Sequence, residues 1–69
     1  MMTLEEYKAK VKKSLKEDYK IDEDYISKLD EDIIISYRQK VELSEMYGTD
    51  RVNPNGYCYM IFMMYPDLP

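Results

Sequence analysis

The strongest constraint on the fold is a run of nine apolar or aromatic residues near the end of the chain, residues 57–65. Asn53-Pro54-Asn55-Gly56 precedes this run and Pro66 follows it. Asparagine is a common helix N-cap, and proline is favoured at the first helical position because its missing N–H has no intrahelical partner there. The pattern therefore predicts a helix over 53–65 that ends at Pro66.

A helix built from this run is apolar on every side, and such a helix must be covered on more than one face. Helical spacing places Tyr57, Met60, Ile61 and Met64 on one face. Much of the other face is formed by Cys58, Tyr59, Phe62 and Met63. A chain of 69 residues buries only about 60% of its unfolded surface, so it has little material to cover both faces.

We therefore expect part of the run to contact another protein. Tyrosine, phenylalanine and methionine are enriched in protein–protein interfaces. The predicted apolar contact residues are Tyr59, Phe62, Met63 and Tyr65. Pairing of this helix between copies of the chain is the alternative.

The beginning of the chain predicts an amphipathic helix over 3–19. Its apolar residues recur at three- and four-residue steps, which place them on one stripe. They are Leu4, Tyr7, Val11, Leu15 and Tyr19. Thr3 and Glu6 have the spacing of a capping box.

A short acidic pattern occurs twice in the middle of the chain. Ile21-Asp22-Glu23-Asp24-Tyr25-Ile26 is echoed eight residues later by Leu29-Asp30-Glu31-Asp32-Ile33-Ile34. An aspartate N-cap with acids in the first turn is typical of a helix start, which predicts helices over 22–29 and 30–47. The second helix is expected to end at Gly48, where glycine adopts the left-handed conformation readily. One continuous helix with a bend near residue 30 is the alternative.

These segments predict a small all-α bundle of three or four helices in a single domain, residues 1–69. Residues 33–43 also alternate at period two, which is typical of a strand. The alternative fold is therefore α+β, with a hairpin of 33–43 and 57–65. Helix-favouring residues over 38–46 and the glycine at position 48 favour the helix.

The acidic residues of the middle segment are a second candidate contact surface. Residues 17–32 contain eight acids, which we call the acidic belt: Glu17, Asp18, Asp22, Glu23, Asp24, Asp30, Glu31 and Asp32. Helix capping explains part of this density, since acids stabilise helix N-termini. The predicted acidic contact residues are Asp22, Asp24, Asp30, Glu31 and Asp32. The expected partner is a protein with a basic surface, and the acidic middle argues against direct nucleic-acid binding.

The residue inventory argues against an enzyme and against a cofactor. The chain has no histidine, one cysteine and only two glycines. It therefore lacks the commonest general base, a set of zinc or iron–sulfur ligands, and a glycine-rich phosphate loop. Asn53-Pro54-Asn55-Gly56 does not fit a calcium loop, because the position of the final glutamate is Phe62. We expect no metal site and no catalytic residues.

The same features predict a cytoplasmic protein that does not enter a membrane. A single cysteine cannot form an intrachain disulfide. The apolar run is roughly half of the about 20 residues that a membrane-spanning helix needs. The first residues contain no apolar segment typical of a secretory signal.

The sequence of residues 53–69, an aromatic-rich helix followed by Tyr65-Pro66-Asp67, resembles the ends of small uncharacterised proteins from conjugative and phage-like elements of gut Firmicutes. The resemblance implies an accessory protein of a mobile element, a class that includes inhibitors of host defence enzymes. With the residue patterns, it predicts a non-catalytic protein-binding module. The alternatives are a homo-oligomeric structural protein and a helix-turn-helix regulator.

Overall fold

The computed structural model describes residues 1–65, which form four α-helices and no strand. They are α1 (Leu4–Glu17), α2 (Glu23–Ser27), α3 (Asp30–Tyr47) and α4 (Pro54–Met64). The all-α prediction is confirmed, and the α+β alternative is wrong because 33–43 lie within α3. The predicted helix end at Pro66 lies outside the described residues, as do the last four residues of the predicted domain.

Helix α1 is the element against which the other three pack. It begins with the predicted capping box: the Glu6 N–H donates to Thr3 Oγ1 at 3.2 Å, and the Thr3 N–H donates to Glu6 Oε1 at 2.9 Å. Tyr7, Val11 and Leu15 are fully buried in the core. The predicted stripe therefore forms the centre of the bundle, since α1 is enclosed along this stripe by its neighbours.

The two acidic patterns start helices differently. Asp22 caps α2 as predicted, and its carboxylate accepts from the Asp24 N–H at 3.2 Å. Asp30 is not an N-cap: Leu29 holds that position and makes no side-chain cap. The Leu29 N–H donates to the Ile26 carbonyl at 3.0 Å, in a tight turn that buries the Leu29 side chain. Burial of this leucine places Asp30 one residue later, at the first position of the helix.

Helix α3 presents a polar ridge to the bundle, formed at four-residue steps by Asp32, Ser36, Lys40 and Ser44. The hydroxyls of Ser36 and Tyr7 are 2.7 Å apart and hydrogen-bonded within the core. Ser44 Oγ accepts from the Arg51 N–H at 2.8 Å and so holds the loop that precedes α4. These contacts tie α3 to two separate parts of the chain, and buried polar contacts of this kind fix the register of packed elements.

Helix α4 begins as its sequence predicts. Asn53 caps it by accepting from the Asn55 N–H at 2.7 Å, and Pro54 is its first residue. Gly48, at the end of α3, has a φ of 70°, in the left-handed region that glycine adopts without strain. The short loop between Gly48 and Asn53 therefore connects α3 to α4, which packs on α1.

The buried side of α4 includes residues from both of the faces that helical spacing defines. The buried residues are Tyr57, Cys58 and Ile61, whereas Met60 and Met64 are exposed. The small side chain of Cys58 allows α4 to lie close to α1, with its sulfur 3.7 Å from the Val11 carbonyl oxygen. The buried arc is therefore rotated toward Cys58.

Candidate interaction surface

Residues 1–65 leave one side of α4 exposed. We define its outer face by five exposed side chains: Tyr59, Met60, Phe62, Met63 and Met64. Tyr59 and Met63 are 57% and 56% exposed and lie on the side of the helix opposite the buried arc. No residue of α4 carries a charge. The outer face is thus an apolar, uncharged strip along a helix whose other side is packed in the core.

The four predicted apolar contact residues differ in their exposure and in their packing against other side chains. Tyr59 and Met63 are exposed over more than half of their surface. The ring of Phe62 packs on Tyr19, with centroids 4.9 Å apart. Tyr65 is half-buried and meets the ring of Tyr25 edge-on at 5.0 Å. The rings of Phe62 and Tyr65 are therefore each packed against another aromatic ring, which restricts their side-chain motion.

Met60 and Met64 also belong to the outer face, although the predicted contact residues did not include them. Both are about half exposed. The three exposed methionines of α4 give the strip long, unbranched side chains that adapt to the shape of a contacting surface. The signal that could have found them is Cys58, the smallest side chain in the run and so the one that permits the closest helix approach.

The acidic belt is partly neutralised by the lysines of α1. Lys12 Nζ lies 2.6 Å from Asp30 Oδ1, and Lys16 Nζ lies 2.6 Å from Glu23 Oε1. These contacts lower the pKa of Asp30 and of Glu23, in each case chiefly through the hydrogen bond with the lysine. The lysine-rich side of α1 is thus occupied, in large part, by internal ion pairs.

The predicted acidic contact residues consequently have different roles. Asp30 pairs with lysine and Asp22 caps α2. Asp32 accepts a hydrogen bond from Tyr57, so it holds α4. Within residues 1–65, the carboxylates of Asp24 and Glu31 form neither an ion pair nor a hydrogen bond, and both side chains are exposed. Of the five predicted acidic contact residues, these two are the ones whose charge is directed at solvent alone.

Two contacts hold α4 next to the helices α2 and α3, which carry most of the acidic belt. The Tyr57 hydroxyl donates to Asp32 Oδ2 at 2.6 Å, which joins α4 to the first turn of α3. The contact of Tyr65 with Tyr25 joins the end of α4 to α2. Neither tyrosine belongs to the outer face, so these contacts place α4 itself, and not its apolar strip, next to α2 and the first turn of α3.

The single cysteine of the chain lies in the core, beneath this surface. Cys58 is fully buried, and burial raises the pKa of its thiol, which keeps it protonated and unreactive at neutral pH. Across residues 1–65, no group of three or more Cys, Asp or Glu side chains is arranged to hold a metal ion. None of the helices in this part of the chain combines the length and the apolar character needed to cross a membrane.

Comparison with known proteins adds no relative from which a function could be transferred. No protein family model, no curated protein and no solved structure matches the chain.

Proposed function

We propose that this chain is a non-catalytic protein-binding module that recognises its partner through the outer face of α4. The observation that carries the proposal is the exposure of Tyr59 and Met63 on a helix without charges. Exposed apolar patches of several hundred Å² on a small domain mark interaction sites more often than chance surface. Aromatic and methionine side chains are the types that interfaces favour.

The acidic belt supplies the second part of the proposed recognition. Asp24 and Glu31 are exposed and directed at solvent, and the helices that carry them lie beside α4. Charges at the rim of an interface accelerate association with a partner of opposite sign more than they strengthen the final complex. The partner we propose is therefore a protein with an apolar site bordered by basic residues.

We extend the proposal to the setting that the resemblance of residues 53–69 implies. The chain acts as an accessory protein of a mobile element and inhibits a host defence enzyme by occupying its surface. The acidic net charge of −4 supports a basic target, such as an enzyme that binds nucleic acid. The helix-turn-helix alternative has less support, because the first turn of α3 carries Asp30, Glu31 and Asp32, which repel phosphates.

The experiment is affinity capture from host lysate with three baits, followed by mass spectrometry. The baits are the parent chain, Met63→Glu, and Met46→Glu as a matched control. Met46 is an exposed methionine that belongs to α3 and not to α4. We expect a protein that the parent and Met46→Glu enrich equally and that Met63→Glu loses.

The captured protein is then purified and assayed for its own activity with and without the chain. A photo-crosslinking amino acid at position 59 is expected to form an adduct with it, whereas the same group at position 46 is not. Capture patterns that are the same for all three baits would refute the role of the outer face. A captured enzyme whose activity the chain leaves unchanged would refute inhibition while leaving the binding role intact.

A further inference from the structure

We infer that, in the absence of another partner, a second copy of this chain covers the outer face of α4, forming an antiparallel two-fold dimer that hides the binding surface. The dimer itself is independent of the proposed function. Its consequence for regulation rests on that function, because a dimer competes with a foreign partner only if both use the same face.

The absence of charge on α4 is the first reason to assign a second copy. In a two-fold contact each residue lies near the same surface of the other copy, so any charge near the axis meets its like. Within residues 1–65, α1, α2 and α3 all carry charged side chains and α4 carries none. For a chain with a net charge of −4, α4 is thus the helix that can approach its own copy without repulsion.

The size of the outer face is the second reason. An exposed half of a large side chain amounts to about 100 Å², so the five residues offer about 500 Å² of apolar surface. A stable interface of standard size buries about 800 Å² per partner, and homodimer interfaces are about 65% apolar. If polar residues around the outer face supply the remaining area, about 300 Å², the interface reaches the size and the apolar fraction of a homodimer.

The charges around α4 favour an antiparallel crossing. At the start of α4, Pro54 and Asn55 share a surface groove with charged residues of both signs: Lys10, Lys13, Glu17 and Asp18. At its end, the Tyr25–Tyr65 contact places α4 beside α2, whose exposed Asp24 has no ion pair among residues 1–65. A parallel crossing would set Asp24 near its own copy. An antiparallel crossing sets it instead near the end that carries Lys10 and Lys13 beside the acids Glu17, Asp18 and Asp32. The same crossing opposes the two helix dipoles favourably.

The self-association test uses pure protein and sedimentation across concentrations from about 1 µM to about 1 mM, which correspond to dissociation free energies of about 8 to about 4 kcal/mol. We expect a monomer–dimer equilibrium for the parent and for Met46→Glu. Met63→Glu and Met63→Lys are each expected to raise the dimer dissociation constant at least tenfold, because each sets like charges across the axis. An equimolar mixture of these two variants is expected to regain the dimer. Circular dichroism checks that all variants stay folded.

Orientation is tested by disulfide formation between Gly56→Cys and Met64→Cys variants. Both positions are exposed near opposite ends of α4, while Cys58 is buried and protonated. An antiparallel crossing predicts that a mixture oxidises mainly to the 56–64 heterodimer, and a parallel crossing predicts the 56–56 and 64–64 homodimers.

A parent chain that remains monomeric at about 1 mM, where weak dimers of this area form, would overturn the inference. Dimerisation of Met63→Glu equal to that of the parent would overturn it as well. Failure here and failure of the proposed function are distinguishable. Capture of a host protein by a strictly monomeric chain would reject the dimer alone, whereas a dimer sensitive to position 63 without host capture would reject the foreign partner alone.

Discussion

The hydroxyl of Tyr57 donates a 2.6 Å hydrogen bond to the carboxylate of Asp32, and this contact fixes the start of α4 against the first turn of α3. The Tyr57 ring is buried while Asp32 is exposed. The bond therefore connects the core, through the polar ridge of α3, to the surface that carries the acidic belt.

Removing this hydrogen bond is expected to lower the free energy of unfolding by about 1 kcal/mol. Hydrogen bonds to charged groups usually contribute about 1.5–3 kcal/mol. The expected effect is smaller here because water can replace the lost partner at the exposed carboxylate. The measurement is urea denaturation of Tyr57→Phe, Asp32→Ala and the double variant. A double-mutant cycle isolates the pair, and a coupling of at least about 0.5 kcal/mol is expected for residues in direct contact. Additive effects of the two substitutions would show that the bond does not stabilise the fold.

The buried tyrosines predict a loss of stability in alkaline solution. Burial raises the pKa of Tyr57 and of Tyr7, and the Asp32 carboxylate raises that of Tyr57 further. Unfolded tyrosine titrates near about pH 10. Above that pH the unfolded chain releases protons that the folded chain retains, so the free energy of unfolding falls as pH rises.

The expected fall is at most about 1.4 kcal/mol per pH unit for each such tyrosine. Urea denaturation between about pH 9 and pH 11, which spans the titration of unfolded tyrosine, measures it. Tyr57→Phe is expected to show a shallower fall than the parent, since one of the two groups is gone. Parallel curves for the two proteins would contradict the assignment to Tyr57.

The two glycines of the chain predict opposite effects of the same substitution. Gly48 is left-handed, so Gly48→Ala introduces strain of about 1–2 kcal/mol. Gly56 lies within α4, and a methyl group added there meets no atom of the chain within 4 Å. Gly56→Ala is expected to stabilise the helix by about 0.5–1 kcal/mol.

Thermal unfolding at low protein concentration, where α4 is not covered by a second copy, compares the two variants. A change of 1 kcal/mol shifts the Tm of a domain of this size by about 4–8 °C. We expect a lower Tm for Gly48→Ala and a higher Tm for Gly56→Ala. If the Tm changes in the same direction in both variants, either Gly48 is not left-handed or Gly56 is not helical.

Two leucines provide a matched test of the core. Leu15 is fully buried in α1, whereas Leu43 is exposed on α3. Leu15→Ala leaves a cavity at the centre of the bundle and is expected to cost about 2–5 kcal/mol, while Leu43→Ala changes stability by about 0.5 kcal/mol or less. Circular dichroism with urea denaturation measures both. Equal effects would mean that α1 is not the centre of the core.

Local signals predicted the elements of the fold well. Thr3, Asp22 and Asn53 cap their helices, and Gly48 ends α3, as the sequence indicates. Such caps depend on residues three or fewer positions apart, so the necessary information lies within one short segment. The shift at Asp30 follows instead from the burial of a neighbouring side chain, which a local pattern does not contain.

The arrangement between helices was predicted less well, because it depends on contacts far apart in the chain. The buried side of α4 is set by how closely Cys58 approaches Val11, which is 47 residues away. The pairing of Ser36 with Tyr7 likewise joins residues 29 positions apart. The periodicity of a helix shows which residues share one of its faces. Which face becomes buried depends on the helix that packs against it. The sequence therefore predicted exposed apolar residues on α4 without including Met60 and Met64 among them.

The last prediction concerns the charge of the acidic belt in the proposed complex. Asp24→Asn with Glu31→Gln removes two charges that form no ion pair or side-chain hydrogen bond in residues 1–65, so folding should change little. The control, Glu42→Gln with Glu45→Gln, removes two charges from the later part of α3 and gives the same net charge. Stopped-flow association with the captured partner is measured across salt concentrations.

We expect the belt variant to associate more slowly than the parent at low salt, with the difference vanishing as salt screens the attraction. The control is expected to stay close to the parent, because its charges lie away from α2 and the start of α3. If both variants slow association equally, net charge and not the belt attracts the partner. If neither does, the acids serve helix starts and internal ion pairs, and the outer face of α4 alone recognises the partner.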